Sequence, residues 1–249
     1  MRFAQRGDRE AAIVLVHGFG GDLDNWLFNI DALAEGATVY ALDLPGHGQS
    51  SKTLADPTPA GLAKTLLAFI DALAIEQPHL VGHSLGGAIA IEAGRQGAGK
   101  VRSLTLIAPA GLGPEINADY IQGFVGAASR RDLKPAVESL FADPGKVTRQ
   151  LIEDLLKYKR LDGVDAALGA LAAGSFKDGR QQALLADALG KLGVPVLVVW
   201  GKEDKIIPAA HAGNAKGAKV EVIEGAGHMV QMEAAAKVNA LVKEHLAKA

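Results

Sequence analysis

Residues 79–87 read His79-Leu80-Val81-Gly82-His83-Ser84-Leu85-Gly86-Gly87, a G-x-S-x-G pentapeptide with one extra glycine, preceded by a short strand-like run. This spacing serves one geometry: a strand turns sharply into a helix and holds Ser84 at the tip with its hydroxyl exposed. Gly82 and Gly86 keep the adjoining backbone free of side chains where the turn must pack closely. The run that follows, Gly87-Ala88-Ile89-Ala90-Ile91-Glu92-Ala93, is small and apolar, as befits a helix pressed against a sheet. Chance also produces small-residue turns of this kind, so the rest of the chain has to agree.

Working outward, short apolar runs alternate with helical stretches. Ala12-Ile13-Val14-Leu15-Val16 ends at His17-Gly18, and Thr38-Val39-Tyr40-Ala41-Leu42 ends at Asp43. Further runs lie at residues 101–107, 194–200 and 219–223, with helical pattern at 61–73 and 234–246. Runs so continuously apolar suit a mostly parallel central sheet with helices on both faces. Such a sheet places its site at the carboxyl ends of the strands, where the motif glycines and histidines fall. From 111 to 192 the alternation stops, with no convincing strand and a helical pattern punctuated by glycine and proline. A stretch of that size is too long for an ordinary connection. It predicts a helical cap at 111–192 inserted in an α/β core of residues 1–110 and 193–249.

Composition narrows the function classes. At 249 residues the chain supports one α/β domain with an insertion. Its hydrophobic share of 49% and charged share of 22% are those of a globular protein. A formal charge of −2 gives no reason to expect a nucleic acid or an anionic membrane as partner. The absence of cysteine excludes disulfides, thiolate metal sites and cysteine nucleophiles, and fits a cytoplasmic protein. No apolar run approaches a membrane span, and the polar start does not read as a secretory signal.

A serine hydroxyl is a poor nucleophile at neutral pH, so Ser84 needs a base and an orienting carboxylate. Of seven histidines, His17, His47 and His83 belong to motif turns and His79 precedes a strand. His211 and His245 fall in helical contexts expected to be exposed. His228 stands apart, in the small-residue loop Glu224-Gly225-Ala226-Gly227-His228-Met229 after the last strand, and is the candidate base. Asp204, in the loop after the penultimate strand, is the candidate carboxylate, with neighbouring Glu203 as the alternative. Asp43 reads as a turn-stabilising carboxylate. The chain order Ser84, Asp204, His228 is one in which serine triads occur. The backbone N–H groups of Phe19 and Leu85 are the expected oxyanion donors, Leu85 aided by the helix start. Trp26, Tyr120, Phe124, Phe141, Met229 and Met232 are candidates for the pocket wall, with core packing as the competing role for each. The charges at Arg130-Arg131 and Lys157-Tyr158-Lys159-Arg160 read most simply as solvated helix faces, and otherwise as an attraction for an acidic substrate or partner.

These landmarks make the chain resemble the α/β-hydrolase superfamily over essentially its whole length. The resemblance rests on His17-Gly18-Phe19-Gly20, the run Asp43-Leu44-Pro45-Gly46-His47-Gly48-Gln49-Ser50, the elbow, Trp200-Gly201-Lys202-Glu203-Asp204 and Gly225-Ala226-Gly227-His228. It implies the same triad and oxyanion donors. The cap segments Gly113-Pro114-Glu115-Ile116-Asn117-Ala118-Asp119-Tyr120-Ile121, Leu140-Phe141-Ala142-Asp143-Pro144 and Tyr158-Lys159-Arg160-Leu161-Asp162-Gly163 are similar to the hydrolase-like domain of bacterial acetoin dehydrogenase acetyltransferase subunits. In those subunits a lipoyl domain precedes that domain; this sequence opens on the hydrolase pattern, so the resemblance covers one domain. Haloalkane dehalogenases and epoxide hydrolases carry aspartate at the elbow, where this chain has Ser84. Carbon–carbon bond hydrolases commonly place tryptophan after the catalytic histidine, where this chain has Met229.

The expected activity is hydrolysis of small carboxylic esters through an acyl-enzyme on Ser84, a chemistry that requires no metal or organic cofactor. The alternatives are transfer of an acetyl group to dihydrolipoamide, which implies association with a multienzyme complex, carbon–carbon bond hydrolysis, and a non-catalytic binding module.

Overall fold

Strands without alternating charged positions have no solvent face to offer, and the fold gives the central ones none. In the computed structural model, which describes residues 1–249, Ala12–Val16 (β2), His79–His83 (β4), Ser103–Ile107 (β5) and Val196–Gly201 (β8) are buried at every position. They form the middle of a seven-stranded sheet completed by Phe3–Arg6 (β1), Thr38–Leu42 (β3) and Lys219–Ile223 (β9). The order is β1-β3-β2-β4-β5-β8-β9. All neighbours run parallel except β1, which pairs antiparallel with β3 at one edge. β1 is the one core strand absent from the sequence reading. It has a mostly exposed side-chain pattern, so periodicity carries no signal there.

Helices cover both faces, as an all-buried parallel sheet requires. Pro59–Ala72 (α2) and Leu85–Gln96 (α3) pack together, with Ala186–Leu189 (α8) beside α3. Ala235–Leu246 (α10) lies against β5 and β8 and contacts Ile30–Ala34 (α1). α2 shows how sequence sets an end. Thr58 accepts the Gly61 N–H at 3.1 Å and Pro59 fills the first turn, where its missing N–H costs nothing.

Between β5 and β8 the chain leaves the sheet and builds Ala118–Gly126 (α4), Arg130–Ser139 (α5), Arg149–Lys159 (α6) and Val164–Ser175 (α7). Asn117, Ser129 and Thr148 each cap one of the first three through a side-chain oxygen. The helical pattern over this stretch is interrupted by a two-stranded hairpin that the sequence reading did not expect. Phe176–Lys177 (β6) pairs with Arg180–Gln181 (β7) around Asp178-Gly179, both at positive φ (49° and 68°). Asp-Gly is a favoured two-residue hairpin turn because both residues tolerate that conformation. No helix is long and apolar enough to cross a membrane.

Candidate active site

The elbow is strained where the sequence required it to be. Ser84 has φ 54° and ψ −119°, a region costly for a residue with a side chain. It is held by its N–H to Ile107 O at 3.0 Å and by its own carbonyl, which takes the N–H groups of Gly87 and Ala110, each at 2.9 Å. A Cβ on Gly86 would collide with the Val16 carbonyl oxygen, and one on Gly82 with the Gly86 carbonyl. Both glycines are therefore there for close approach of backbone to backbone.

Two loops at the carboxyl ends of β8 and β9 bring the candidate carboxylate and base together. The Asp204 side chain is buried and accepts four hydrogen bonds. Oδ1 takes the N–H groups of Ile206 (2.8 Å) and Ile207 (3.0 Å), while Oδ2 takes Trp200 Nε1–H (3.0 Å) and His228 Nδ1 (2.8 Å). Binding Nδ1 to a carboxylate leaves Nε2 as the ring nitrogen turned to other work. Glu203 instead accepts the Ala226 N–H at 3.1 Å and so braces the loop that carries His228. Ser84 and His228 line the same narrow cavity, of about 60 Å³.

The histidines of the motif turns have structural bonds of their own. His17 Nε2 accepts the Leu44 N–H (3.0 Å) and its Nδ1 lies 2.8 Å from Gly18 O, so the ring is neutral with its proton on Nδ1. His47 does the same between the Gly20 N–H (3.1 Å) and Pro45 O (3.2 Å). Burial pushes His17 down to about 4 and His47 well below its ordinary 6.5. Together the two rings fix the glycine turn at residues 18–21. His83 donates from Nε2 to His228 O at 3.0 Å; burial lowers it strongly too, and its Nδ1 has no protein partner. Asp43 accepts from the N–H groups of Leu23 (2.9 Å) and Gln49 (2.8 Å) and from Arg2, a turn-stabilising set.

Five of the six named pocket candidates, Tyr120, Phe124, Phe141, Met229 and Met232, line the cavity. Trp26 does not: it is 1% exposed and belongs to the core beneath. The wall also takes Asn25, Val137, Leu140, Leu151 and Leu155, which sequence reasoning missed. Their signal was helical spacing at 151 and 155, which cannot say what the apolar face covers. Three residues expected to be exposed are not, and of these His245 is half-buried, with its Nε2 shielded from solvent. His211 is buried, with Nε2 at 2.6 Å from Glu115 and its ring against the edge of Trp200. Lys159 is 4% exposed, bonded to Val125 O (3.0 Å) and Asp165 (3.1 Å), and stands 5.6 Å over the Phe124 ring. His211 and Lys159 turned inward because a specific partner waited there, something no local pattern reveals.

The polar groups turned to the cavity are a hydroxyl, imidazoles, an amide and a phenol; neither lysine nor arginine lines it. That arrangement suits a neutral, largely apolar occupant.

Comparison with known proteins agrees with this architecture. The family model described as alpha/beta hydrolase fold matches residues 11–235. Two curated relatives are each 53% identical to this chain. One is from Cupriavidus necator, over 99% of this chain and 66% of its own length; the other is from Pseudomonas putida, over 95% and 64%. Both are named dihydrolipoyllysine-residue acetyltransferase component of acetoin cleaving system. The chain thus spans just under two thirds of the length of these relatives. Among solved structures, the meta-cleavage product hydrolase CumD from Pseudomonas fluorescens IP01 superposes with a TM-score of 0.89. It covers 99% of this chain and 93% of its own at 22% identity, a likeness of fold alone. With the sheet order, the strained elbow and the family match all in agreement, this chain belongs to the α/β-hydrolase fold family.

Proposed function

We propose that this chain is an acyl-transfer catalyst that carries the acyl group on Ser84 and hands it to a dihydrolipoyl thiol. The observation that carries the reading is the convergence of Ser84 and the Asp204-bonded His228 on one uncharged, thioether- and aromatic-walled cavity. In the first step Ser84 Oγ attacks the acyl carbonyl while His228 Nε2 takes its proton; Asp204 orients the ring and stabilises the imidazolium. The carbonyl oxygen, now negative, is held by the N–H groups of Phe19 and Leu85. The first is the donor left in a turn whose Gly20 and Gly21 amides are bonded to His47 and Gly18. The second belongs to the opening turn of α3, where an N–H has no helical acceptor. Collapse expels the leaving group, protonated by His228.

In the second step the acceptor thiol gives its proton to His228 and its sulfur attacks the acyl-serine, releasing a thioester and restoring Ser84. A soft, neutral alkyl thiol suits walls made by Met229, Met232, Phe141 and Leu140 better than a charged acceptor would. The printed name of the two 53%-identical relatives supports the choice of a dihydrolipoyl acceptor and of work within a multienzyme assembly. Water reaching the same acyl-serine makes the chain a carboxylic ester hydrolase, the second outcome of one intermediate.

The test is product partitioning. With p-nitrophenyl acetate as donor, added dihydrolipoamide should divert product from acetate to S-acetyl thioester in proportion to its concentration. Thioester formation no faster than in a Ser84→Ala control would leave ester hydrolysis as the activity.

A further inference from the structure

One buried carboxylate joins the base loop to the cap and takes no part in the steps above. Glu233 closes the short helix Val230–Glu233 (α9), and its side chain is 0% exposed. Its Oε2 accepts the N–H of Gly227, the residue before His228, at 2.7 Å. Its Oε1 accepts the N–H of Ala142, the residue after Phe141, at 3.0 Å. The partly exposed Lys146 ammonium stands 3.7 Å from Oε1 and supplies a counter-charge.

The junction is close-packed as well as bonded. The Met229 N–H donates to Leu140 O at 3.1 Å. A Cβ on Gly227 would come within 2.6 Å of Ala142 N and 2.8 Å of the Phe141 carbonyl carbon, so this position admits only glycine while the cap segment stays where it is. His228 is thus flanked on one side by an amide tied to Glu233 and on the other by an amide tied to the cap backbone. Leu140 and Phe141, the cap residues at this junction, are also cavity wall.

We infer that Glu233 is a positioning residue: it sets the His228 loop against cap segment 140–142, so that what presses on Leu140 and Phe141 from within the cavity is transmitted to the base. The inference rests on the reading of His228 as the base acting for Ser84. A planar carboxylate with one amide on each oxygen tolerates little relative motion, since lengthening either bond weakens it steeply. Misplacing a catalytic group by about 1 Å costs on the order of a hundredfold in rate, so the tie is worth having.

The experiment is a double-mutant cycle on the whole chain with Phe141→Ala and Glu233→Gln, reading kcat and KM for p-nitrophenyl acetate. Gln keeps the size of the side chain but turns an NH₂ toward one of the two amides, breaking that tie. Glu233→Gln should lower kcat about tenfold or more. KM should stay within about twofold, because Glu233 does not line the cavity. Phe141→Ala should change kcat in the wild type and change it less, by about fivefold or more, in the Glu233→Gln background, the Met229–Leu140 bond being the tie that remains. A side chain that merely stabilised the fold would give additive effects, and additivity or wild-type kcat in Glu233→Gln overturns the inference. Should that variant not fold, Glu233→Asp, which reaches only one of the amides, carries the same cycle. Fluorophosphonate labelling of the wild type and of Ser84→Ala is run alongside. An unlabelled wild type sinks the reading of Ser84 and His228 and this inference with it. A labelled wild type with additive variants sinks the inference alone.

Discussion

Asp204→Asn changes one atom and removes the logic of the site. Four donors converge on this carboxylate, two on each oxygen, and an amide accepts at only one end. If the NH₂ takes the Oδ2 position, it confronts the Trp200 indole N–H and forces His228 Nδ1 to accept. The imidazole proton then moves to Nε2, and the nitrogen facing the cavity has no lone pair for the Ser84 proton. If the amide flips, its NH₂ confronts the Ile206 and Ile207 N–H groups instead, and the loop that carries the residue loses its anchor. The first orientation leaves fewer conflicts. Holding a triad histidine in the wrong tautomer costs about 10⁴ in turnover, or about 5.5 kcal/mol of transition-state stabilisation. The Trp200 donor then keeps only its longer bond to Ile207 O (3.3 Å), and the lost bond costs about a further 1 kcal/mol of fold stability. Initial rates with p-nitrophenyl acetate, alongside far-ultraviolet circular dichroism to verify folding, measure the first; urea unfolding measures the second. A folded Asp204→Asn protein within tenfold of wild-type kcat/KM would refute the role given to this residue. Glu203→Gln serves as the control, since the Glu203 side chain bonds only the Ala226 amide.

Further outcomes follow from the same geometry. His17 and His79 are pushed down to about 4 by burial and His47 and His83 well below 6.5, so the unfolded chain takes up protons that the fold refuses. Stability is then full above about pH 6.5 and falls as pH drops toward 4, by roughly 1 kcal/mol per histidine between pH 7.5 and 5.5. Asp22, raised to about 6 by burial, works in the opposite sense and offsets one of the four. Urea midpoints at the two pH values check this, and an equal or higher midpoint at pH 5.5 would contradict it. Gly86→Ala drives a methyl into the Val16 carbonyl and to within 2.6 Å of the His17 carbonyl oxygen; it should lose at least about 3 kcal/mol or fail to fold, as calorimetry would report. Lys159→Ala removes the bonds to Val125 O and Asp165 and the cation over Phe124. It should cost about 2 kcal/mol, and an unchanged melting temperature would show that the buried ammonium holds nothing.

Much of this architecture is legible in the sequence because its signals are local. A run such as Ala12-Ile13-Val14-Leu15-Val16 has no polar position to turn toward water, so it reads as interior, and it ends where histidine and glycine take over. The same regularity puts His17, Asp43, Ser84, Asp204 and His228 at or just beyond strand ends. What escapes depends on partners far away in sequence. Phe3–Arg6 becomes a strand only because Thr38–Leu42 offers an edge. His211 is buried because Glu115 meets it from 96 residues away, and Lys159 because the Val125 carbonyl needs a donor. The hairpin at Phe176–Gln181 is different, since its Asp178-Gly179 turn is open to inspection. It is hidden by strands only two residues long, too short for any alternation to register. Trp26 shows the converse limit. Its size and apolar character fit a pocket wall and a core equally, and only packing decides.

Trapping the covalent intermediate bears most directly on the whole account. Rapid mixing of the protein with p-nitrophenyl acetate, acid quenching and peptide mass spectrometry should find one acetyl group on the peptide that contains Ser84. A chase with dihydrolipoamide should clear that adduct as thioester faster than buffer clears it as acetate. An acetyl group lodged elsewhere, or turnover with Ser84 never modified, would contradict the claim that this serine carries the acyl group.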